Sequence, residues 1–164
     1  MKKENKLFVF LSILCVAAFV FMIVALCIPK KTEEKLFIPP PFDDKAVLGE
    51  PTVPEGLGYD VLNQSGMSFV VALCGKVNVI DNKAQIYLTN VAENTVWLKA
   101  RFYDSTGNIV GESGLVKPGE YLKEVMLSSV PRGSEQYKLK IMSYEPYTYN
   151  SLGEIIFIPK MAVR

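Results

Sequence analysis

KAQIYLTNVAENTVWLKARFYDSTGNIVGESGLVKPGEYLKEVML, residues Lys83 to Leu127, decides the fold, because apolar residues alternate in it with polar ones and short turns interrupt the alternation. Ala84, Ile86 and Leu88 alternate with Gln85, Tyr87 and Thr89, while Val96, Leu98, Ala100 and Phe102 alternate with Trp97, Lys99, Arg101 and Tyr103. A period of two puts each set on one face of a half-buried strand. In the second strand the apolar set has to face inward, since the opposite phase would bury Lys99 and Arg101 together without partners. Asp104-Ser-Thr-Gly107 then has an Asp to open a turn and a Gly to close it in the left-handed region, which predicts a hairpin. In that hairpin Tyr103 is expected opposite Asn108, and Lys99 opposite Glu112 as an outward charge pair. Lys117-Pro118-Gly119-Glu120 places Pro and Gly where a type II turn needs them and predicts a further hairpin.

Similar patterns flank this block. Strand-like runs are predicted at Ser68 to Leu73, Lys76 to Ile80, Glu120 to Leu127, Gln136 to Tyr144 and Ile155 to Ile158, with Tyr137, Leu139 and Ile141 facing in. The total is seven or eight short strands in about a hundred residues, the size and spacing of an immunoglobulin-like antiparallel β-sandwich. The Cys-Trp-Cys core of antibody domains is missing. Cys15 and Cys27 lie in the N-terminal apolar run and Cys74 stands alone in the domain, so the sandwich rests on aliphatic and aromatic packing, with Cys74 as a small core residue.

The rest of the 164 residues divides by composition. Residues 1–6 carry Lys2, Lys3 and Lys6 and form a short cytoplasmic tail. From Leu7 to Ile28 no charge occurs and Ser12 is the one hydroxyl, a run of about 33 Å as a helix against a hydrocarbon core of about 30 Å. It exceeds the 7 to 15 residues of a signal-peptide core and ends in a poor cleavage site, which favours an uncleaved signal anchor with the domain outside. Residues 29–64 hold six of the ten prolines and predict a Pro-rich stalk, leaving residues 65–164 as the extracytoplasmic domain.

The chain has no histidine, so the commonest general base, Ser-His triads and most zinc sites are excluded. Phosphate-binding Gly loops are absent too, and no cofactor or metal is implied. A near-neutral net charge of +1 without a basic run beyond the N-terminus gives no footprint for nucleic acid. Glu33-Glu34 and Asp43-Asp44 read as solvated linker charges, Asp104 to Asn108 as turn chemistry, and Asn63-Gln-Ser65 as a glycosylation sequon by pattern. The candidate binding residues are Tyr87, Trp97, Lys99, Arg101 and Tyr103, an outward row of aromatics and cations of the kind found at protein-binding hot spots and sugar-stacking platforms. Two readings stay open for Trp97, surface or cover by another part of the chain, and Tyr144, Tyr147 and Tyr149 either extend the surface or cap the sandwich.

The run FYD-x-x-G-x-I-V-x-E-S-G-L-V-x-P-G-E from Phe102 to Glu120, followed by the Tyr-centred strand from Gln136 to Tyr144, resembles small membrane-anchored proteins of Gram-positive bacteria. These carry one extracytoplasmic immunoglobulin-like domain, and the run is also similar to FxLYD-type modules, although Ala100-Arg-Phe-Tyr-Asp104 departs from that pattern at two positions. The resemblance implies architecture and envelope location and transfers no functional residue. Together these readings lead to the expectation of a non-catalytic interaction or scaffold subunit of a cell-envelope assembly. A cell-wall glycan-binding module using the exposed aromatics is the alternative.

Overall fold

The alternation predicted from the sequence is realised as two packed sheets in the computed structural model, which describes residues 2–27, 37–62, 69–132 and 135–164. The chain falls into two units, residues 1–38 and residues 39–164. The first contains α1 (Lys2–Cys27), 26 residues long. Side chains are described on it for residues 8–23, apolar almost throughout, and the Ser12 hydroxyl is satisfied by donating to the Phe8 carbonyl at 2.6 Å. Residues 8–23 cover about 24 Å at 1.5 Å per residue. Among the described residues no helix is long and apolar enough to cross a membrane.

In the second unit eleven strands are described: β1 (Val47–Leu48), β2 (Tyr59–Leu62), β3 (Val71–Cys74), β4 (Lys76–Ile80), β5 (Lys83–Asn90), β6 (Trp97–Tyr103), β7 (Ile109–Glu112), β8 (Glu120–Met126), β9 (Lys138–Tyr144), β10 (Ser151–Phe157) and β11 (Lys160–Val163). One sheet runs β1-β8-β5-β3-β2, with β4 on β5 and β11 parallel to β4, and the other runs β10-β9-β6-β7. The pairing is otherwise antiparallel. Between the sheets lie Ile86, Leu88, Val96, Leu98, Phe102, Leu139 and Ile141, all but fully buried, as their phase required. At the β5–β6 crossing a polar knot joins the layers. The buried Asn90 amide donates to the carbonyls of Val96 and Val116 at 2.9 Å each and its oxygen accepts from Asn94, which itself brackets the backbone of Val70.

Several expectations are corrected. Among the described residues the seven or eight strands are eleven, the additions being the short β1 and β2 upstream and β11 at the end. The predicted stalk is folded with the sandwich from Pro39 to Leu62, so the boundary moves from residue 65 to 39. Leu115 donates to the Pro41 carbonyl, Asp43 donates to the Leu115 carbonyl, β1 pairs with β8, and β2 pairs with β3. Prolines spaced through this strap leave enough free N–H and C=O groups for edge pairing, which is where prolines are tolerated. Residues 29–36 and 63–64 of the predicted stalk, with the sequon, lie outside the described residues. Finally, Lys117 to Glu120 makes its turn, with Gly119 at φ +79° and Glu120 donating to the Lys117 carbonyl, yet it carries the chain from one sheet to the other and closes no hairpin.

Gly114 fixes the strap. Its N–H donates to the Asp43 carboxylate at 2.8 Å, and a Cβ at this position would run into the backbone of Phe42 and Asp43. Gly114→Ala is therefore expected to unseat the strap at a cost of about 1 to 3 kcal/mol. Limited trypsin digestion at Lys45 should accelerate while the remaining sandwich stays protected, and unchanged cleavage would show that the strap does not depend on this contact.

Candidate functional site

Register determines which residues share a surface. Along β6 and β9 the pairs are Trp97↔Tyr144, Lys99↔Met142, Arg101↔Lys140 and Tyr103↔Lys138, so all eight point to the outer face of the four-stranded sheet. Glu112 on β7 lies opposite Arg101, and Glu154 on β10 lies opposite Met142, so both join the same face. Four of the five residues singled out in the sequence are thus brought together. Tyr87 is not: β5 belongs to the other sheet, where a bulge between Gln85 and Leu88 holds Tyr87 at φ +49°. There it is buried with Leu57 and Cys74 beneath Val53 and Tyr59 of the strap.

Lys99, expected to be outward and solvated, is 6% exposed. Its ammonium donates to Glu112 Oε1 at 2.7 Å, while the second Glu112 oxygen accepts from Arg101 Nε at 2.6 Å. The charge pair is the one expected, but its geometry differs. A bulge between Phe102 and Tyr103 sets Tyr103 opposite Ile109 and Glu112 opposite Arg101, so one carboxylate serves two cations. Burial pushes the Glu112 carboxyl up, and the hydrogen bonds and charges of Lys99 and Arg101 outweigh it, holding the group below its ordinary value.

Trp97 has company at the other end of the face. Phe42 from the strap meets it edge-on with centroids 4.8 Å apart, and Tyr147 and Tyr149 approach to 5.8 and 5.3 Å. Cover by the same chain is therefore the outcome of the two readings, although Trp97 keeps partial exposure. The two tyrosines reach it because both adopt positive φ, +69° and +60°, in a loop braced by Glu145. That carboxylate accepts from the Thr148 hydroxyl at 2.5 Å and from the Asn150 amide at 3.3 Å, bonds that keep its carboxyl below the usual range. Lys117 Nζ sits 4.5 Å from the Phe42 centroid. Phe42 was missed in the sequence because three prolines before it suggested linker; its aromatic character next to them was the available signal.

Elsewhere the chemistry is structural. Asp104 accepts from the N–H groups of Thr106 and Asn108 and from the Thr106 hydroxyl, which leads in lowering its carboxyl, so the loop behaves as turn chemistry. The Cys74 thiol is fully buried, and burial pushes it up to about 11. Among the described residues no group of three or more acidic or Cys side chains is placed to hold a metal ion. No protein-family profile matches the chain, and no curated protein is similar to it.

A lowered carboxyl links Glu112 to acid stability. Its contribution is present above the ordinary value of 4.5 and is lost as pH falls through the lower folded value. Glu112→Gln should cost about 1 to 3 kcal/mol at neutral pH, since it strands buried Lys99, and should flatten the acid side of the stability profile. Urea unfolding at stepped pH, followed by the fluorescence of the single Trp97, measures both. An undiminished acid slope in the variant would exclude Glu112 as its source.

Proposed function

We propose that the chain is a membrane-anchored, extracytoplasmic, non-catalytic interaction subunit of a cell-envelope assembly, with the outer face of the four-stranded sheet as its contact surface. The observation that carries this reading is the composition of that face: aromatic, cationic and apolar side chains in register, without a nucleophile–base pair. Exposed Ile109 and Ile156 add apolar area beside the ion pairs. The uncharged run from Leu7 to Ile28 supports the anchor, and the Lys residues before it support an inside N-terminus.

We read the sandwich as immunoglobulin-like. Chain order gives β5 pairing β8 in one sheet and β6 pairing β9 in the other, the cross-connected pattern of that fold. Tyr137, buried just before β9, places its hydroxyl 3.2 Å from Ser129 Oγ, in the position of a tyrosine corner. Glycan stacking is weaker support for the face than protein contact, because Tyr87 lies on the other sheet and Trp97 already meets three rings of its own chain.

Two measurements test the reading. Protease added to intact spheroplasts should degrade the sandwich; protection there with cleavage after lysis would reverse the topology. A photocrosslinking residue in place of Ile156 should yield discrete partner adducts in cells, and one in place of Lys123 on the opposite sheet should not. Equal labelling from both positions would remove the contact surface from this face.

A further inference from the structure

Of the 18 Lys and Arg and the 17 Asp and Glu, six cations and three carboxylates precede Pro39, which leaves the sandwich with 12 cations against 14 carboxylates. The outer face of the four-stranded sheet runs against that balance. It gathers Lys99, Arg101, Lys138 and Lys140 around two carboxylates, Glu112 and Glu154. Arg101 and Lys140 stand directly opposite one another, a like-charge pairing that destabilises a sheet. They lean apart, Arg101 to Glu112 on β7 and Lys140 to both oxygens of Glu154 on β10 at 2.9 Å. Tyr103 stands beside this rung. Arg101 Nη1 donates to its hydroxyl at 3.4 Å and Lys140 Nζ is 5.8 Å from its ring centroid. Opposite it is Lys138, exposed and without a described carboxylate partner.

We propose that Arg101, Tyr103, Lys138 and Lys140 form a site for a phosphate group carried on a polyanionic polymer. This deepens, and rests on, the reading of the chain as an interaction subunit. The site presents a guanidinium, two ammonium groups and a phenol O–H, all donors, so its ligand is acceptor-only. Four cations over two carboxylates leave two positive charges on the face. Each phosphate within a polymer carries about one negative charge, so two successive phosphates match that excess. Arg101 and Lys140 are neighbours across one rung, and Lys138 lies two residues from Lys140, about 6.6 Å along β9, so the accessible cations form a short row and not a pocket. A row suits a chain with phosphates at intervals over a single headgroup.

The test uses the full-length protein in phosphatidylcholine nanodiscs, titrated with long-chain inorganic polyphosphate over a range of salt. Saturable binding is expected. Lys138→Gln should weaken it about fivefold and make the dependence of log affinity on log salt shallower by about one, whereas Lys123→Gln, the same charge loss on the other sheet, should change neither. Absent binding, or equal losses from the two variants, overturns the site. Polyglutamate binding as tightly as polyphosphate assigns the face to an acidic protein segment instead, and suppression of polyphosphate binding by phosphatidylglycerol in the discs assigns it to lipid. If polyphosphate fails to bind while crosslinking from Ile156 still yields adducts, the phosphate site falls and the interaction subunit stands.

Discussion

The side-chain amide of Asn90 is where the two sheets are held in one arrangement. It ends β5 at full burial, with its donors on the carbonyls of Val96 and Val116 and its oxygen accepting from Asn94. Val96 leads into β6 and Val116, bridged to Leu98, follows β7, so one side chain ties two crossings together. Without it the Val96 carbonyl would lose its donor, at about 1 to 3 kcal/mol, while the Val116 carbonyl would keep the Leu98 N–H. Burial of apolar side chains such as Leu98, Phe102 and Ile141 supplies most of the driving force. The amide supplies direction, which apolar contact lacks.

Period-two alternation was enough to read the inward face of β5, β6 and β9, because the side-chain period of a strand is fixed and a slip of one residue would have buried charge. The turns at Asp104 and Lys117 were legible for a similar reason: Asp, Pro and Gly restrict the backbone locally. The Asp104 turn closes the hairpin its sequence predicts, but which strands the Lys117 turn joins was not legible, since a type II turn has the same sequence whether the chain stays in its sheet or changes sheets. Tyr87 shows how this propagates. Its phase was right, opposite to Ile86 and Leu88, but the outer face of its sheet is covered by the strap, so an outward tyrosine became a buried one.

Lys99 makes the complementary point about the site. Sequence placed it outward, where a lysine is ordinarily solvated, yet it lies buried with Met142 opposite and one Glu112 oxygen on its ammonium. Only the bulge after Phe102, which shifts β7 by one residue, lets Glu112 face Arg101 and still reach Lys99. Bulges are set by tertiary fit and leave little trace in composition. The aromatic end of the face was half visible: Trp97 and the tyrosines are in the sequence, but their meeting depends on two left-handed residues and a proline-flanked strap.

That strap is also the covalent route by which anything preceding residue 39 is joined to the sandwich. Tension applied along the chain from its N-terminal side arrives first at Pro41, Asp43 and the backbone of Leu115, where the two segments lie parallel. Bonds loaded along parallel segments share a force in shear, so they resist together before any one breaks. Beyond them the pull meets the two-residue pairing of β1 with β8.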